Sequence, residues 1–287
     1  MLSFAKRHLR EITIFVIAAV LIAALSVFGY KRHVRNVVNQ AYAVNPISTA
    51  QLQQAAASSA DKLMIVAHPD DEVLWGGGHL YEKGYLVVCV TNGRNEVRSK
   101  EFNDVVKASG NDCIMLEYPD KVRGQRDDWQ LVENGIKSDL EKIMTCKKWK
   151  LIAVHNKKGE YGHIHHINVH RYVTDVYDSE DIDCDLYCFG KYYKKSQIDA
   201  VKDSIPKISQ EQYDFKKKLA DMYTSQKKTV DKLWHMAWFE DWTLYKRYSE
   251  HPEYDPANKA DDNTIGAAIN EAKTVTNSTD STKKDKA

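Results

Sequence analysis

Ala67-His68-Pro69-Asp70-Asp71-Glu72 packs an imidazole and three carboxylates into the five positions from His68 to Glu72. Just before it, Leu63-Met64-Ile65-Val66 is a short apolar run that reads as a buried strand. Charges at the end of a buried strand need compensation. A divalent cation supplies it, and His with Asp is a donor set that zinc accepts.

Working outward, short apolar runs alternate with helical patterns. The runs span residues 63–67, 86–91, 113–118, 151–155 and 186–189, and each is rich in Val, Ile, Leu or Cys, as strands covered on both faces should be. Helices are expected over residues 73–83, 97–109, 129–145 and 165–177. In the third, Trp129, Val132, Ile136, Leu140 and Ile143 fall at spacings of three and four, one apolar stripe. This alternation predicts an α/β fold, a parallel sheet with right-handed crossovers, flanked by helices. Residues 206–248 read as helices that close the domain. Sites in such sheets form outside the carboxyl ends of the strands. The first four runs end in His68–Glu72, Thr91-Asn92-Gly93-Arg94, Tyr118-Pro119-Asp120 and His155-Asn156, all chemically capable.

The second constellation is Gly159-Glu160-Tyr161-Gly162-His163-Ile164-His165-His166-Ile167-Asn168-Val169-His170. A lone His usually caps or packs. Four within eight positions, after two glycines and opening an amphipathic helix, point to a metal site. A helix from His165 puts His166 and His170 on one face. His68 and Asp71 are three apart, so one turn aims both at one point, and Pro69 keeps His68 extended. A catalytic zinc takes three protein ligands and leaves one position open. His68, Asp71 and one imidazole of the second segment complete that set. Such a cation lowers the pKa of water from about 15.7 to about 7. Asp70 is placed to accept the water's proton, and a second His to protonate a leaving amine or stabilise an oxyanion. The chemistry is that of a metal hydrolase for an unreactive carbonyl such as an amide.

The 287 residues carry a net charge of +1, which gives no pointer to nucleic acid. Lys216-Lys217-Lys218 reads as a solvated helix face. Residues 12–30 are apolar and uncharged, flanked by Lys6, Arg7 and Arg10 and by Lys31, Arg32 and Arg35. That is close to the roughly 20 residues needed to cross a bilayer. A cleaved signal ending at Ala41-Tyr42-Ala43 is the rival reading, but the run is long for it and a basic cluster intervenes. An uncleaved anchor is favoured. The basic flanks are equal, and the amino terminus tips the orientation towards a catalytic domain outside the cytoplasm. Cys89 and Cys113 read as buried thiols, and five cysteines suggest neither a disulfide framework nor a zinc finger. The expected organisation is a short tail and anchor over 1–30, a stalk over 31–60, a catalytic domain over 61–250, and a disordered tail over 251–287. Asn277-Ser278-Thr279 in that tail matches a glycosylation acceptor by chance composition.

The segment AHPDDE with a later GxxGHxxH resembles the N-acetylglucosaminylphosphatidylinositol de-N-acetylase family, also called PIG-L or LmbE-like. The resemblance runs from about Asp61 to Trp242 and includes Thr91-Asn92-Gly93, Tyr118-Pro119-Asp120 and Tyr223-Thr224-Ser225-Gln226. It implies a Rossmann-like fold and a zinc-dependent de-N-acetylase. It implies His68, Asp71 and His166 as zinc ligands, Asp70 as general base and His163 as general acid or oxyanion partner. Tyr161, Arg98 and Asp120 match substrate-contacting positions, although Arg98 could instead pair with Glu101 on the helix surface. Glu72 reads as a carboxylate of the helix's first turn or a support for the ligands. His165 departs from the family, in which Asp or Gln is commoner there. Trp75-Gly76-Gly77-Gly78 is no dinucleotide fingerprint, and its small residues are expected to let the first helix pack close to the sheet.

The leading expectation is therefore a membrane-anchored zinc deacetylase acting on an N-acetylated sugar in a glycan or glycolipid. The alternatives are a silent, metal-retaining glycan-binding protein and a thiol-pathway deacetylase of a small glycoside. Iron suits the same donors as zinc.

Overall fold

The computed structural model describes residues 2–245. Residues 246–250 of the expected catalytic domain, the tail over 251–287 and its Asn277-Ser278-Thr279 motif lie outside the described residues.

Two compact units emerge. The first comprises residues 1–44 with 121–127. Its helix α1 (Leu2–Tyr42) runs unbroken through the basic cluster at Lys31, Arg32 and Arg35. It is long and apolar enough to cross a membrane, and its apolar window is entirely exposed. The hairpin of this unit pairs β4 (Lys121–Val122) with β5 (Gln125–Arg126), and the Tyr42 hydroxyl donates to Asp127 just beyond it.

The second unit holds the sheet. Its strands are β1 (Lys62–Val66), β2 (Tyr85–Thr91), β3 (Asp112–Tyr118), β6 (Leu151–Val154), β7 (Asp185–Cys188) and β8 (Thr243–Leu244), in the order β3-β2-β1-β6-β7-β8. All neighbours are parallel except β8, which runs antiparallel to β7. All five expected strands form within a residue or two of where the apolar runs place them. The short β8 was not anticipated, because residues 206–248 were read as helices only. Their helices are α9 (Gln210–Asp221) and α10 (Lys227–Leu233), preceded by the single turn α8 (Ile198–Val201).

Crossover helices cover both faces: α3 (Asp71–Leu80), α4 (Glu96–Ala108), α5 (Glu133–Thr145) and α7 (Ile164–Ser179), with a four-residue α6 (Gly159–Gly162) before the last. The predicted stripe from Trp129 to Ile143 is buried along its length, although the helix begins only at Glu133. At about 25 cal/mol per Å² of apolar surface, such stripes supply the main stabilisation of the layers.

The segment expected as stalk contains α2 (Thr49–Ala57), opened by a reciprocal capping box between Ser48 and Gln51. Gln51 and Gln54 donate to the Met115 and Cys113 carbonyls of edge strand β3, at 3.1 and 3.3 Å. Thus α2 covers an edge that would otherwise be open to pairing. The three glycines of α3 do more than approach the sheet. A Cβ at Gly76 would meet Met64 of β1, whereas one at Gly77 would strike Lys216 and one at Gly78 Ile208 and Glu240. All five cysteines are free thiols, Cys89 buried and Cys113 half-buried.

The chain runs from β1 outward to β3 on one side and from β6 to β7 on the other. The order reverses between β1 and β6, which register Ile65 against Val154. A crevice at the carboxyl ends of these two strands is where such sheets bind ligands.

Candidate metal and active site

The loop after β1 turns sharply into α3. Asp70 sits at φ 109°, a left-handed conformation costly for a residue with a Cβ. Its N–H donates to Glu72 Oε2 at 3.1 Å, and the Arg98 guanidinium donates to the Pro69 carbonyl at 2.5 Å. His68 N–H donates to Asp71 Oδ2 at 2.8 Å, closing the turn. The strain is thus held by three hydrogen bonds around the tip.

The loop after β6 brings up the second half. Glu160, at φ 56°, accepts from Asn156 N–H at 3.0 Å. His163 caps α7, its Nδ1 accepting from His165 N–H at 3.2 Å. The first turn of α7 then points His166 at the first loop.

Three donor atoms converge. His68 Nδ1 lies 3.2 Å from Asp71 Oδ2, His166 Nε2 lies 3.3 Å from Asp71 Oδ2, and the two nitrogens are 3.3 Å apart. Ligands on a tetrahedral zinc, with bonds of about 2.0–2.1 Å, stand about 3.3–3.4 Å from one another. The triangle fits that ion. Two other clusters in the site do not fit. His68 Nε2 and His165 Nδ1 are 2.9 Å apart, and His166 Nδ1 and Glu160 Oε2 2.5 Å, which are hydrogen-bond separations.

Those hydrogen bonds orient the ligand candidates. Glu160 Oε2 accepts from His166 Nδ1, which leaves Nε2 with its lone pair towards the triangle, the usual carboxylate support of a metal-binding imidazole. The same oxygen takes His155 Nδ1 at 3.0 Å. His155 Nε2 in turn accepts the Ala67 N–H at 3.0 Å, so this buried imidazole braces both loops. On the far side of His68, Nε2 faces His165 Nδ1 and, at 3.6 Å, Asp120 Oδ1. His165 stacks flat on Trp129, with ring centroids 3.9 Å apart.

Electrostatics separates the two adjacent aspartates. Burial would raise Asp71, but His166, His68 and His155 hold it well below the usual carboxylate range. Burial and the neighbouring Asp71 push Asp70 well above that range, against the pull of Arg98. One carboxylate is kept anionic and its neighbour is made a better proton acceptor, a division that marks acid–base sites. Burial would depress His166, yet Asp71 and Glu160 lift it to about 10. Burial would raise Glu160, and His155 and His166 bring it to about 2. His68 is driven well below its ordinary value by burial, with Asp71 opposing.

Each residue singled out from the sequence has a definite place. His68, Asp71 and His166 meet at the triangle. The His163 ring centroid lies 4.6 Å from that of His68. Arg98 turns from Glu101 towards the site, 3.7 Å from Asp70 and 3.8 Å from Asp120. Glu101 instead accepts from Thr224 Oγ1 and from Ser225 N–H and Oγ. Tyr161 is half-exposed, its ring 5.7 Å from that of His166. His170, one turn on, leaves the cluster and bonds the His155 carbonyl at 2.9 Å. Sequence reasoning missed the parts of Glu160 and His155. The only signal for Glu160 was a carboxylate inside a histidine-rich loop.

Against known proteins, the family described as PIG-L, GlcNAc-PI de-N-acetylase, matches residues 63–177. An uncharacterised protein of Acanthamoeba polyphaga mimivirus is 30% identical over 190 residues, covering 60% of this chain and 75% of the relative. The chain belongs to the PIG-L family. Among solved structures, the N,N'-diacetylchitobiose deacetylase of Pyrococcus horikoshii superposes with a TM-score of 0.50 at 15% identity. The match covers 74% of this chain and 98% of that one, and it shows a shared fold. The matched family region, which begins within β1 and ends within α7, contains both loops of the site.

Proposed function

We propose that the chain is a membrane-anchored, zinc-dependent de-N-acetylase that hydrolyses the acetamide of an N-acetylated amino sugar carried by a glycan or glycolipid. The observation that carries this reading is the triangle of His68 Nδ1, Asp71 Oδ2 and His166 Nε2, with edges of 3.2–3.3 Å. The amino-sugar substrate rests on the family, described as a GlcNAc-PI de-N-acetylase, and on a fold shared with a chitobiose deacetylase. Ferrous iron is the other cation the donors suit. The anchor reading rests on the length and apolar character of α1.

A zinc ion held by the triangle would polarise the acetamide carbonyl and make water nucleophilic at neutral pH. Asp70, with its raised proton affinity, takes the proton of the attacking water. His163, whose ring lies 4.6 Å from that of His68 and 4.4 Å from that of His166, delivers a proton to the departing sugar amine or steadies the oxyanion. Tyr161 borders the acyl group from the half-exposed side. Asp120, beside His68, and Arg98, beside Asp120, take the sugar hydroxyls.

The test is metal analysis of the purified protein, followed by acetate release from N-acetylglucosamine derivatives. Asp70→Asn is expected to keep one zinc per chain and to lose activity by about 10²-fold or more. A variant that retains turnover removes Asp70 from the proton-accepting role. A zinc-loaded protein that releases no acetate from any amino sugar supports a glycan-binding protein instead.

A further inference from the structure

We infer that Tyr223 is a positioning residue for Asp70, acting through Glu72 and locked by a clasp on Glu101. The inference rests on the deacetylase reading for its kinetic readout, but the geometry stands by itself.

Asp70 holds a backbone conformation that L-residues rarely adopt, so something must pay for it. Its N–H is fixed by Glu72 Oε2 at 3.1 Å. The other oxygen of Glu72 accepts the Tyr223 hydroxyl at 2.5 Å. Glu72 and Tyr223 are both buried, so water offers neither a substitute partner. Tyr223 lies in the loop after α9, 151 positions from Glu72. The next residues, Thr224 and Ser225, are gripped by Glu101 of α4 through three hydrogen bonds. One turn before Glu101 on the same helix, Arg98 holds the Pro69 carbonyl.

These contacts form a closed ring: Glu101 to Thr224 and Ser225, Tyr223 to Glu72, Glu72 to Asp70, and Pro69 to Arg98, which returns to α4. Every member is a hydrogen bond between groups on different elements or across the strained loop. The ring grips the Pro69–Asp70 peptide at both its carbonyl oxygen and its N–H, and so fixes the plane from which the Asp70 side chain projects. No member of the ring belongs to the metal triangle. The Tyr223 hydroxyl donates to a carboxylate oxygen, so it fixes Glu72 and does not touch substrate.

Tyr223→Phe deletes one oxygen and keeps the buried ring. It is expected to lower kcat by about tenfold or more while KM stays within about twofold, because the proton acceptor is misplaced and the substrate contacts are not. Metal stoichiometry stays at the wild-type value. Independently of activity, amide hydrogen exchange at Asp70 is expected to accelerate at least about tenfold, with no change across β1. Glu101→Gln, on an exposed part of the clasp, is expected to move the same two readouts in the same direction by less. Wild-type exchange at Asp70 in Tyr223→Phe would overturn the positioning role. So would wild-type kcat in a protein that turns over. If the wild-type protein releases no acetate, the deacetylase reading falls, and the exchange measurement still decides whether Tyr223 holds Asp70.

Discussion

Two buried clusters of charge sit at the two ends of α3, and they are built on opposite logic. At the carboxyl end, Lys216 Nζ donates to Glu240 Oε1 at 2.7 Å and to the Leu74 carbonyl at 2.9 Å. Glu240 also accepts from Gly78 N–H at 2.8 Å, His79 N–H at 3.1 Å and His79 Nδ1 at 2.8 Å. Lys216 meets Glu240 directly, and the donors at the end of the helix finish the carboxylate. At the amino end, His68, Asp71 and His166 turn three lone-pair atoms towards one point. The first cluster satisfies itself and fixes geometry. The second is a group of donors that could hold a metal ion. A buried charge cluster is thus read by where its lone pairs go, not by how many charges it holds.

The comparison breaks most severely if Lys216 is removed. Lys216→Met leaves Glu240 buried without its lysine partner, and it is expected to cost about 3–5 kcal/mol in urea unfolding. Lys216→Met with Glu240→Gln should recover a large part, since the stranded charge is gone. A loss below about 1 kcal/mol in the single variant would mean that the pair is incidental. The same pair sets an acid response. Burial would raise Glu240, but Lys216 and His79 hold it at about 2, below its ordinary 4.5. A depressed carboxylate stabilises the fold above about 4.5, and that contribution is lost as pH falls towards about 2. Lys216→Met should flatten this part of the acid limb in a plot of stability against pH.

The next effect separates the clusters. Zinc at about one hundred times its dissociation constant should stabilise the protein by about 2.7 kcal/mol. His166→Ala should abolish that increment, and Lys216→Met should keep it. His166 is lifted to about 10 by Asp71 and Glu160 in spite of its burial, so protons compete with the cation for Nε2. The zinc increment should therefore shrink as pH is lowered from 8 to 6. An increment that survives in His166→Ala would move the third ligand to another imidazole.

The two clusters also differed in how far sequence disclosed them. His68 and Asp71 are three residues apart and follow an apolar run, and the four histidines crowd into eight positions. Local spacing thus announced both halves of the candidate metal site, and the alternation of strand and helix announced that they would share one end of the sheet. Nothing local joins Lys216 to Glu240 or Tyr223 to Glu72. Lys216 lies in a run of three lysines that reads as a solvated face, yet it is fully buried. Its burial follows from Gly77, whose missing side chain is visible only once α3 and α9 are packed. The brace of Glu160 on His166 needs the distorted backbone of a short loop, which composition does not encode. The Ser48–Gln51 capping box was written in the sequence, but the polar, alanine-rich stretch around it invited a spacer reading in place of a helix packed on β3.

The smallest expected effect tests that packing directly. In an exposed helix, Gly→Ala stabilises by about 1 kcal/mol. At Gly77 a Cβ would stand 2.7 Å from Lys216 Cγ, 3.1 Å from Cδ and 3.2 Å from Cβ. A free lysine stem would swing aside at little cost. This one cannot, because its Nζ is tied to Glu240 and the Leu74 carbonyl and its root to α9. Overpacking of about 1–3 kcal/mol should therefore outweigh the helix gain and leave Gly77→Ala less stable by about 1 kcal/mol. In the Lys216→Met background the tether is absent and the flexible thioether can yield. There the same substitution should be neutral or stabilising. A destabilisation of equal size in both backgrounds would show that the stem, not its pinned charge, fills the space above Gly77.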